Sequence, residues 1–502
     1  MSTNDNNARG GRSRQGREQG RHAAGPRSGR PRRGPGPSDA PVRLAAPARR
    51  VAYRVLHAVT VDDAYANLLL PVEIDRAKLS RADAALATEL CYGTLRLRGY
   101  YDAVIEQAAG RSLDRIDVEV QDVLRLGVHQ ILNTRVPDHA AVDESVLLTR
   151  ERGKPAASGF VNGVLRTVSR TAPEDWTDRI VADATSPDEA AARATAHPAW
   201  IVRAFRQSLR AEGREDELAA LLASDNEAPA VNLVALPGLA AAPEGATADV
   251  YSPVGFRSAG GDPDQLVTSS DGRLRVQDEG SQLVALALAA APVDPSITAE
   301  RWLDLCSGPG GKTALLAARA LAAGAELDAV ELVPARAGLV RRAVSAVPLP
   351  VEVTVGDGTM IGQQRGERYA RVLVDAPCTG LGALRRRPEA RWRKHPSDVA
   401  ELGLIQLALI RSAFDALVPG GVLAYVTCSP HIAETRGIVS TALMQWGGAA
   451  ELLDAPGVLA GLTRAELPLG EPLREGEGAT VQLWPHRHGT DAMFLALVRK
   501  RA

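Results

Sequence analysis

The chain has 502 residues, a formal net charge of −1 and 45 % hydrophobic residues. This length predicts about three domains of ordinary size, and the hydrophobic fraction is typical of globular proteins. No apolar run reaches the roughly 18 residues that a membrane span needs, and the polar N-terminus does not resemble a signal peptide, so we expect a cytoplasmic protein without membrane contact.

Residues 1–44 are rich in Arg, Gly, Pro and Ser and almost devoid of apolar side chains. Such a segment buries too little surface to offset its ordering entropy, so the sequence predicts a disordered tail. Its arginines are suited to phosphate backbones. A solvated tail without a role is an equally good interpretation.

Residues 45–172 carry apolar side chains at helical spacing. Val51, Val55, Leu56 and Val59 begin the pattern, and the segment 117–132 repeats it. Strand-like alternation is missing, which predicts an all-α domain. Residues 173–300 mix helical and strand-like pieces with loops rich in Pro, Gly and Ala, and we interpret them as a connecting α+β region.

From residue 301 to 502 short Val/Leu-rich strands alternate with helical segments. This alternation predicts an α/β domain with a mostly parallel sheet and helices on both faces. The last segment, 481–498, predicts an antiparallel closing hairpin. Ligands of such sheets bind outside the carboxyl ends of the strands, so the residues that follow each strand are the candidates for a site.

The segment 303–313, LDLCSGPGGKT, has the order apolar strand, glycine-rich turn and helix start. Glycines let the backbone approach a ligand, and the free N–H groups of the helix favour a nucleotide-like or carboxylate-bearing molecule. A phosphate-binding P-loop is excluded because its first glycine would fall on Cys306, and the dinucleotide pattern G-x-G-x-x-G fails at Thr313. Glu331, after the next strand, stands where an acid binds ribose hydroxyls. A plain structural turn is the alternative.

Four cysteines stand at positions 91, 306, 378 and 428. Their spacing fits neither a C-x-x-C metal site nor a small disulfide framework, so we expect reduced thiols and no metal. Cys378 and Cys428 each follow a predicted strand and should face the same crevice as the glycine loop. A nucleophilic thiolate needs partial exposure and nearby positive charge, which the basic segment 385–394 offers. Burial as ordinary packing is the alternative for each cysteine alone.

These stretches resemble a known family. The segments 375–382 (DAPCTGLG), 386–392 (RRPEARW) and 427–429 (TCS) are similar to RNA cytosine-5 methyltransferases, and 306–313 resembles their S-adenosylmethionine loop. The N-terminal helices, with GFVNGVLR at 159–166, resemble the NusB-type RNA-binding domain. The pairing resembles bacterial 16S ribosomal RNA methyltransferases of the Sun/Fmu type. It implies an N-terminal all-α NusB-like bundle followed by an α/β Rossmann-like S-adenosylmethionine-dependent methyltransferase domain.

The resemblance also implies roles. Cys428 attacks cytosine C6, Cys378 helps release the product, and Asp375 bonds the cytosine edge or faces the reactive methyl group. Glu331 holds the ribose and Asp357 the adenine amino group, although the family often has Asp where Glu331 stands. The methionine end of the cofactor lies on the backbone of Cys306, Ser307, Gly308, Pro309, Gly310, Gly311 and Lys312.

RNA, most simply 16S ribosomal RNA, is the implied partner of a monomer. We interpret the basic segment as a grip on the RNA backbone with a stacking tryptophan, against the alternative of a solvated face. Its predicted contact residues are Arg386, Arg387, Arg391, Trp392 and Arg393. Two other functions stay open: methylation of an exocyclic amine, which usually needs a Pro-Pro-aromatic segment in place of Ala376-Pro377-Cys378, and a binding protein that kept the fold without the chemistry.

Overall fold

The structure is a computed structural model that describes residues 43–258 and 263–501. Almost all of the predicted Arg-rich tail therefore lies outside the described residues. From Leu44 onwards the chain forms one compact unit.

The N-terminal part is a helical bundle, as the periodicity predicted. Its core is apolar, and Val51, Leu90, Val123 and Leu165 are among the side chains fully buried in it. Ser80 caps the third helix by accepting a hydrogen bond from the N–H of Asp83. The helices are α1 (Pro47–Val61), α2 (Ala66–Arg76), α3 (Arg81–Arg96), α4 (Arg98–Ala109), α5 (Val118–Asn133), α6 (Asp138–Glu151) and α7 (Ser158–Ser169).

The connecting region contains helices first and a small sheet second. Helices α8 (Pro173–Val181), α9 (Pro187–Ala194), α10 (Ala199–Arg210) and α11 (Leu218–Ser224) precede strands β1 (Asn232–Ala235), β2 (Thr247–Ala248), β3 (Gly255–Arg257) and β4 (Leu274–Val276), with α12 (Pro263–Ser269) before β4. The strands are antiparallel in the order β2-β3-β1-β4. Apolar side chains of α10 and α11 pack on Leu381, Leu384 and Trp484 of the following domain.

The C-terminal domain is built on one large sheet. The strands of this sheet are β5 (Arg301–Asp304), β6 (Glu326–Glu331), β7 (Val351–Val355), β8 (Tyr369–Asp375), β9 (Leu417–Thr427), β10 (Ala450–Leu452), β13 (Val481–Gln482) and β14 (Phe494–Lys500). Strands β11 (Arg474–Glu475) and β12 (Gly478–Ala479) form a separate antiparallel pair. The helices of the domain are α13 (Glu279–Ala290), α14 (Gly311–Ala323), α15 (Pro334–Val344), α16 (Ile361–Arg365), α17 (Ala390–Arg393), α18 (Pro396–Ala416), α19 (Arg436–Trp446), α20 (Ala455–Ala460) and α21 (Pro485–His488).

The strand order of this sheet is β10-β14-β9-β8-β5-β6-β7, and β13 pairs with β14. The five strands from β5 to β9 are parallel, whereas β14 runs antiparallel beside β9. Alternate side chains of each strand enter separate cores. In β9, Val426 packs on the face of α13 and α14, and Tyr425 packs on the face of α18 and α19. The predicted doubly wound fold and closing hairpin are confirmed.

The chain passes from β5 outward to β7 and then returns to β8, on the other side of β5. The sheet therefore has its topological switch point between β5 and β8, where ligands of this fold bind. The glycine loop follows β5, and the two cysteine-bearing loops follow β8 and β9. Within the described residues no helix has the length and apolar character needed to cross a membrane.

Candidate active site

The glycine loop connects β5 to α14. Gly310 adopts φ +107°, and a Cβ there would lie 2.5 Å from the Cβ of Ala343, so the turn needs glycine for both conformation and space. The hydroxyl of Thr313 donates to buried Asp304 at 2.7 Å. Burial raises the pKa of Asp304 to about 7. This hydrogen bond fixes the first turn of α14, and with it the end of the glycine loop, to strand β5.

Two acids and two exposed apolar side chains near this loop fit an adenosine-bearing ligand. Glu331, at the end of β6, accepts a hydrogen bond from the N–H of Gly308 at 2.9 Å. Asp357 is exposed after β7 and accepts from the N–H of Thr359. Leu332 and Met360 are large apolar side chains left 64 % and 40 % exposed beside these acids. Carboxylates for hydroxyl and amino groups next to exposed apolar surface suit a nucleoside.

The two cysteines meet at the switch point. Cys378, three residues after β8, and Cys428, directly after β9, are both partly exposed, and their Sγ atoms lie 3.5 Å apart. The prediction that they converge on one crevice is confirmed, while their catalytic roles stay predictions. Cys91 is buried in the helical bundle, and burial raises the pKa of the Cys306 thiol.

The two thiols are electrostatically different. The hydrogen bond from Cys378 lowers the pKa of Cys428, assisted by the charge of Lys312 and opposed by burial. The same hydrogen bond, together with burial and the negative charges of Cys428 and Glu434, raises the pKa of Cys378 well above its usual range. Cys428 is therefore the thiol that ionises more readily, which is what a nucleophile requires.

Lys312 links the cysteines to the glycine loop. Its Nζ donates to Asp375 Oδ2 at 2.9 Å. Although burial opposes its charge, Asp375 raises the pKa of Lys312 and keeps it a cation. The sequence pointed to the basic segment 385–394 as the source of positive charge near the thiolate, but Lys312 is the cation that acts on Cys428. Lys312 lies at the glycine loop because it is the second residue of α14, which starts there.

The basic segment lies mostly at an internal interface. Arg391 is 0 % exposed, and its guanidinium donates to the carbonyl oxygens of Arg96, Ala196 and Asp225. Burial lowers the pKa of Arg391 to about 10. The prediction that Arg391 contacts RNA is therefore wrong, because the side chain joins the helical bundle, the connecting region and the C-terminal domain.

Other residues of the predicted RNA grip are also engaged within the protein. Arg386 pairs with Asp278 and Asp491 at 2.7 and 2.9 Å. Arg393 donates to two carbonyl oxygens of the bundle, and the half-buried ring of Trp392 packs so closely on Gly99 that a Cβ there would lie 2.3 Å away. Arg387 differs because it is exposed. The segment connects domains, and only part of it can meet RNA.

Sequence reasoning missed a buried network beneath the cysteines. Glu434 is 0 % exposed and accepts hydrogen bonds from Thr379 and Ser429, the residues that follow the two cysteines, and from Gln406 of α18. The adjacent hydroxyl residues in CT and CS were the only visible signal. Across the described residues no cluster of three or more His, Cys, Asp or Glu side chains could hold a metal ion.

The switch-point loop, its acids and the helical N-terminal part define an S-adenosylmethionine-dependent methyltransferase joined to a NusB-like domain. A family model described as 16S rRNA methyltransferase RsmB/F matches residues 291–499, and the NusB family model matches residues 46–170. The chain is 50 % identical over 483 residues to the putative methyltransferase Rv1407 of Mycobacterium tuberculosis, an alignment that covers 95 % of this chain and 99 % of the relative. The chain belongs to the RsmB/F family of 16S rRNA methyltransferases.

Further relatives agree with this assignment. The ribosomal RNA small subunit methyltransferase B of Pseudomonas putida is 31 % identical over 80 % of this chain and 90 % of its own length. The probable enzyme of the same name from Bacillus subtilis is 29 % identical over 90 % and 98 %. The solved structure of PH0851 superimposes with a TM-score of 0.72 at 20 % identity, covering 91 % of this chain and 100 % of that one, which supports the fold. The resemblance seen in the sequence is confirmed.

Proposed function

We propose that this protein methylates C5 of cytosine in RNA, with 16S ribosomal RNA as its substrate, through a covalent bond between Cys428 and cytosine C6. The observation that carries the proposal is the asymmetric cysteine pair beside the loop for the methyl donor: the two Sγ atoms lie 3.5 Å apart, the pKa of Cys428 is lowered and the pKa of Cys378 is raised by their hydrogen bond.

The chemistry explains why two thiols are useful. Cytosine C5 is a poor nucleophile, and addition of the Cys428 thiolate to C6 makes the ring enamine-like, so that C5 can accept a methyl group. Bound S-adenosylmethionine supplies that group as a sulfonium methyl. A base must then take the C5 proton, and the electrons of that C–H bond re-form the C5=C6 double bond and expel Cys428 Sγ as a thiolate. Cys378 is placed to assist this release, because it touches the sulfur that departs.

The ion pair between Lys312 and Asp375 is assigned to recognition of the cytosine base. Asp375, partly exposed at the end of β8, can accept a hydrogen bond from the cytosine amino group, and Lys312, paired with Asp375, favours the thiolate form of Cys428. Glu331 and Asp357 are assigned to the ribose and the adenine. The target nucleotide must leave its stack for C6 to reach the sulfur. The NusB-like helices and Arg387 would add affinity for the surrounding RNA.

Bisulfite sequencing tests the substrate and the position of methylation together. We expect cytosine in 16S ribosomal RNA to resist conversion in cells that carry the gene and to be converted in cells that lack it. Restoring the gene should restore the protected position, and a gene encoding Cys428→Ala should not. A modified exocyclic amine in place of a C5 methyl group would contradict the proposal.

The Cys378→Ala variant tests the division of labour between the thiols. Without the release step, a covalent protein–RNA adduct should accumulate and appear as a slowly migrating band in a denaturing gel. The double variant Cys378→Ala/Cys428→Ala is the matched control and should form no band. Normal turnover of Cys378→Ala without an adduct would show that the roles are wrong.

A further inference from the structure

Glu434 stands out among the buried groups that the proposed reaction does not use. It lies six residues beyond Cys428, shortly before α19, and its side chain is fully buried. A buried carboxylate is costly unless several donors face it, so its partners show what it is there to hold.

Those partners come from both cysteine loops. The backbone N–H of Thr379 donates to Glu434 Oε1 at 2.7 Å, and the Thr379 hydroxyl donates to Oε2. The Ser429 hydroxyl also donates to Oε2, at 2.6 Å. Thr379 and Ser429 each follow a cysteine directly, so a single carboxylate ties the chain just after Cys378 to the chain just after Cys428.

A third donor fixes the other side of Cys378. Gln406 Nε2 donates to the carbonyl oxygen of Pro377 at 2.9 Å and lies 3.3 Å from Glu434 Oε1. The segment from Pro377 to Thr379 is thereby held on both sides of the thiol. The Tyr425 hydroxyl donates to the backbone carbonyl of Glu434 at 2.7 Å and secures the residue itself.

We propose that Glu434 is a positioning residue that holds the Cys378 thiol within hydrogen-bond reach of the Cys428 sulfur. Its side chain is fully buried, and its described partners lie in the cysteine loops, β9 and α18. This inference rests on the proposed function for its purpose, but the geometry it concerns exists without substrate.

The surrounding charges sharpen the expected effect. Cys428 faces Lys312, Asp375 and Asp491, whereas Glu434 and the phenol of Tyr425 face Cys378. Loss of the Glu434 carboxylate should therefore act on Cys428 through the position of Cys378. A misplaced donor leaves the thiolate less stabilised, so its pKa should rise.

The test measures alkylation of Cys428 by iodoacetamide against pH, by mass spectrometry of the peptide, in the full chain without RNA or S-adenosylmethionine. For Glu434→Gln we expect the midpoint for Cys428 to rise by about one pH unit. We also expect kcat to fall about 100-fold with an unchanged KM for S-adenosylmethionine. Glu434→Asp keeps the charge but shortens the reach, and it should restore only part of either quantity.

Ser145→Ala is the matched control, because it removes a buried, hydrogen-bonded hydroxyl from the helical bundle and leaves the cysteine loops and Glu434 unchanged. The pH midpoint for alkylation of Cys428 should stay within about 0.3 pH unit of that of the parent protein, and kcat should stay within about two-fold. If thermal unfolding shows that Glu434→Gln does not fold, Thr379→Val removes one donor to the same carboxylate and should shift the midpoint in the same direction.

An unchanged Cys428 midpoint in folded Glu434→Gln, or in Thr379→Val, would overturn the positioning role. Because the alkylation requires no turnover, a shifted midpoint together with absent cytosine methylation in the parent protein would support the positioning role and reject the proposed function. Normal cytosine methylation by the parent protein together with an unshifted Cys428 midpoint in the variant would support the proposed function and reject the positioning role.

Discussion

The cysteine loops and the basic segment are neighbours in the chain, yet they behave differently on folding. Cys378 and Cys428 are 50 residues apart and meet because parallel strands β8 and β9 end at the same edge of the sheet. Arg391 follows Cys378 by only 13 residues, but it bonds to Arg96, 295 residues away in the bundle. Sheet topology brings the thiols together, whereas the arginine side chains are positioned by hydrogen bonds to residues of other domains.

The difference matters for interpreting charge. A run of arginines is a natural candidate for RNA binding, but the guanidinium groups of Arg391 and Arg393 donate hydrogen bonds to backbone carbonyl oxygens of other domains. One lysine in the glycine loop supplies the charge at the thiolate instead. Function in this region therefore follows geometry at the strand ends more closely than it follows local composition.

The largest effect should come from the thiolate itself. Cys428→Ala should lower the rate of methyl transfer by about four orders of magnitude or more, because it removes the nucleophile that adds to C6. Binding of S-adenosylmethionine, measured by calorimetry, should be unchanged. Cys306→Ala is the control cysteine and should keep most of the rate. Comparable activity in both variants would show that Cys428 is not the nucleophile.

Lys312→Met should have the next largest effect. Cys428 has a lowered pKa, so kcat/KM should rise with pH through a midpoint below that of an ordinary thiol. Without the cation the pKa of Cys428 rises, the midpoint moves to higher pH by roughly one unit, and the rate near neutral pH falls about 10-fold. A pH–rate profile checks this. An unmoved midpoint would show that Lys312 does not act on the thiolate.

Arg391→Ala should affect stability before chemistry. It removes several charge-assisted hydrogen bonds that join three parts of the chain, and we expect the free energy of unfolding to fall by about 3 kcal/mol. Urea unfolding followed by circular dichroism measures the change. A loss of RNA affinity in a protein of unchanged stability would instead restore the original interpretation of this side chain.

Arg387→Ala is the matched surface variant and should show the smallest effect. Its exposed side chain has little to contribute to folding, so unfolding should shift by less than about 0.5 kcal/mol. If it contacts an RNA phosphate, the slope of log affinity against log salt should fall by about one. An unchanged slope would remove Arg387 from the RNA surface and leave the whole segment structural.

Much of the fold could be predicted because its determinants are local. The helical periodicity from Val51 onwards and the strand before Cys306 are properties of short windows, and strand-end placement follows from general topology. The network beneath the cysteines could not be predicted, because Glu434 gains its role from partners 5, 28 and 55 residues away. Nor could the burial of Arg391, since its acceptors are backbone carbonyls whose positions depend on domain packing.

The adduct that Cys378→Ala forms with ribosomal RNA can be analysed by mass spectrometry to identify the nucleophile. After nuclease and protease digestion, we expect a cytidine nucleotide attached to the peptide that carries Cys428. Attachment at another residue, or turnover without any attachment, would contradict this expectation.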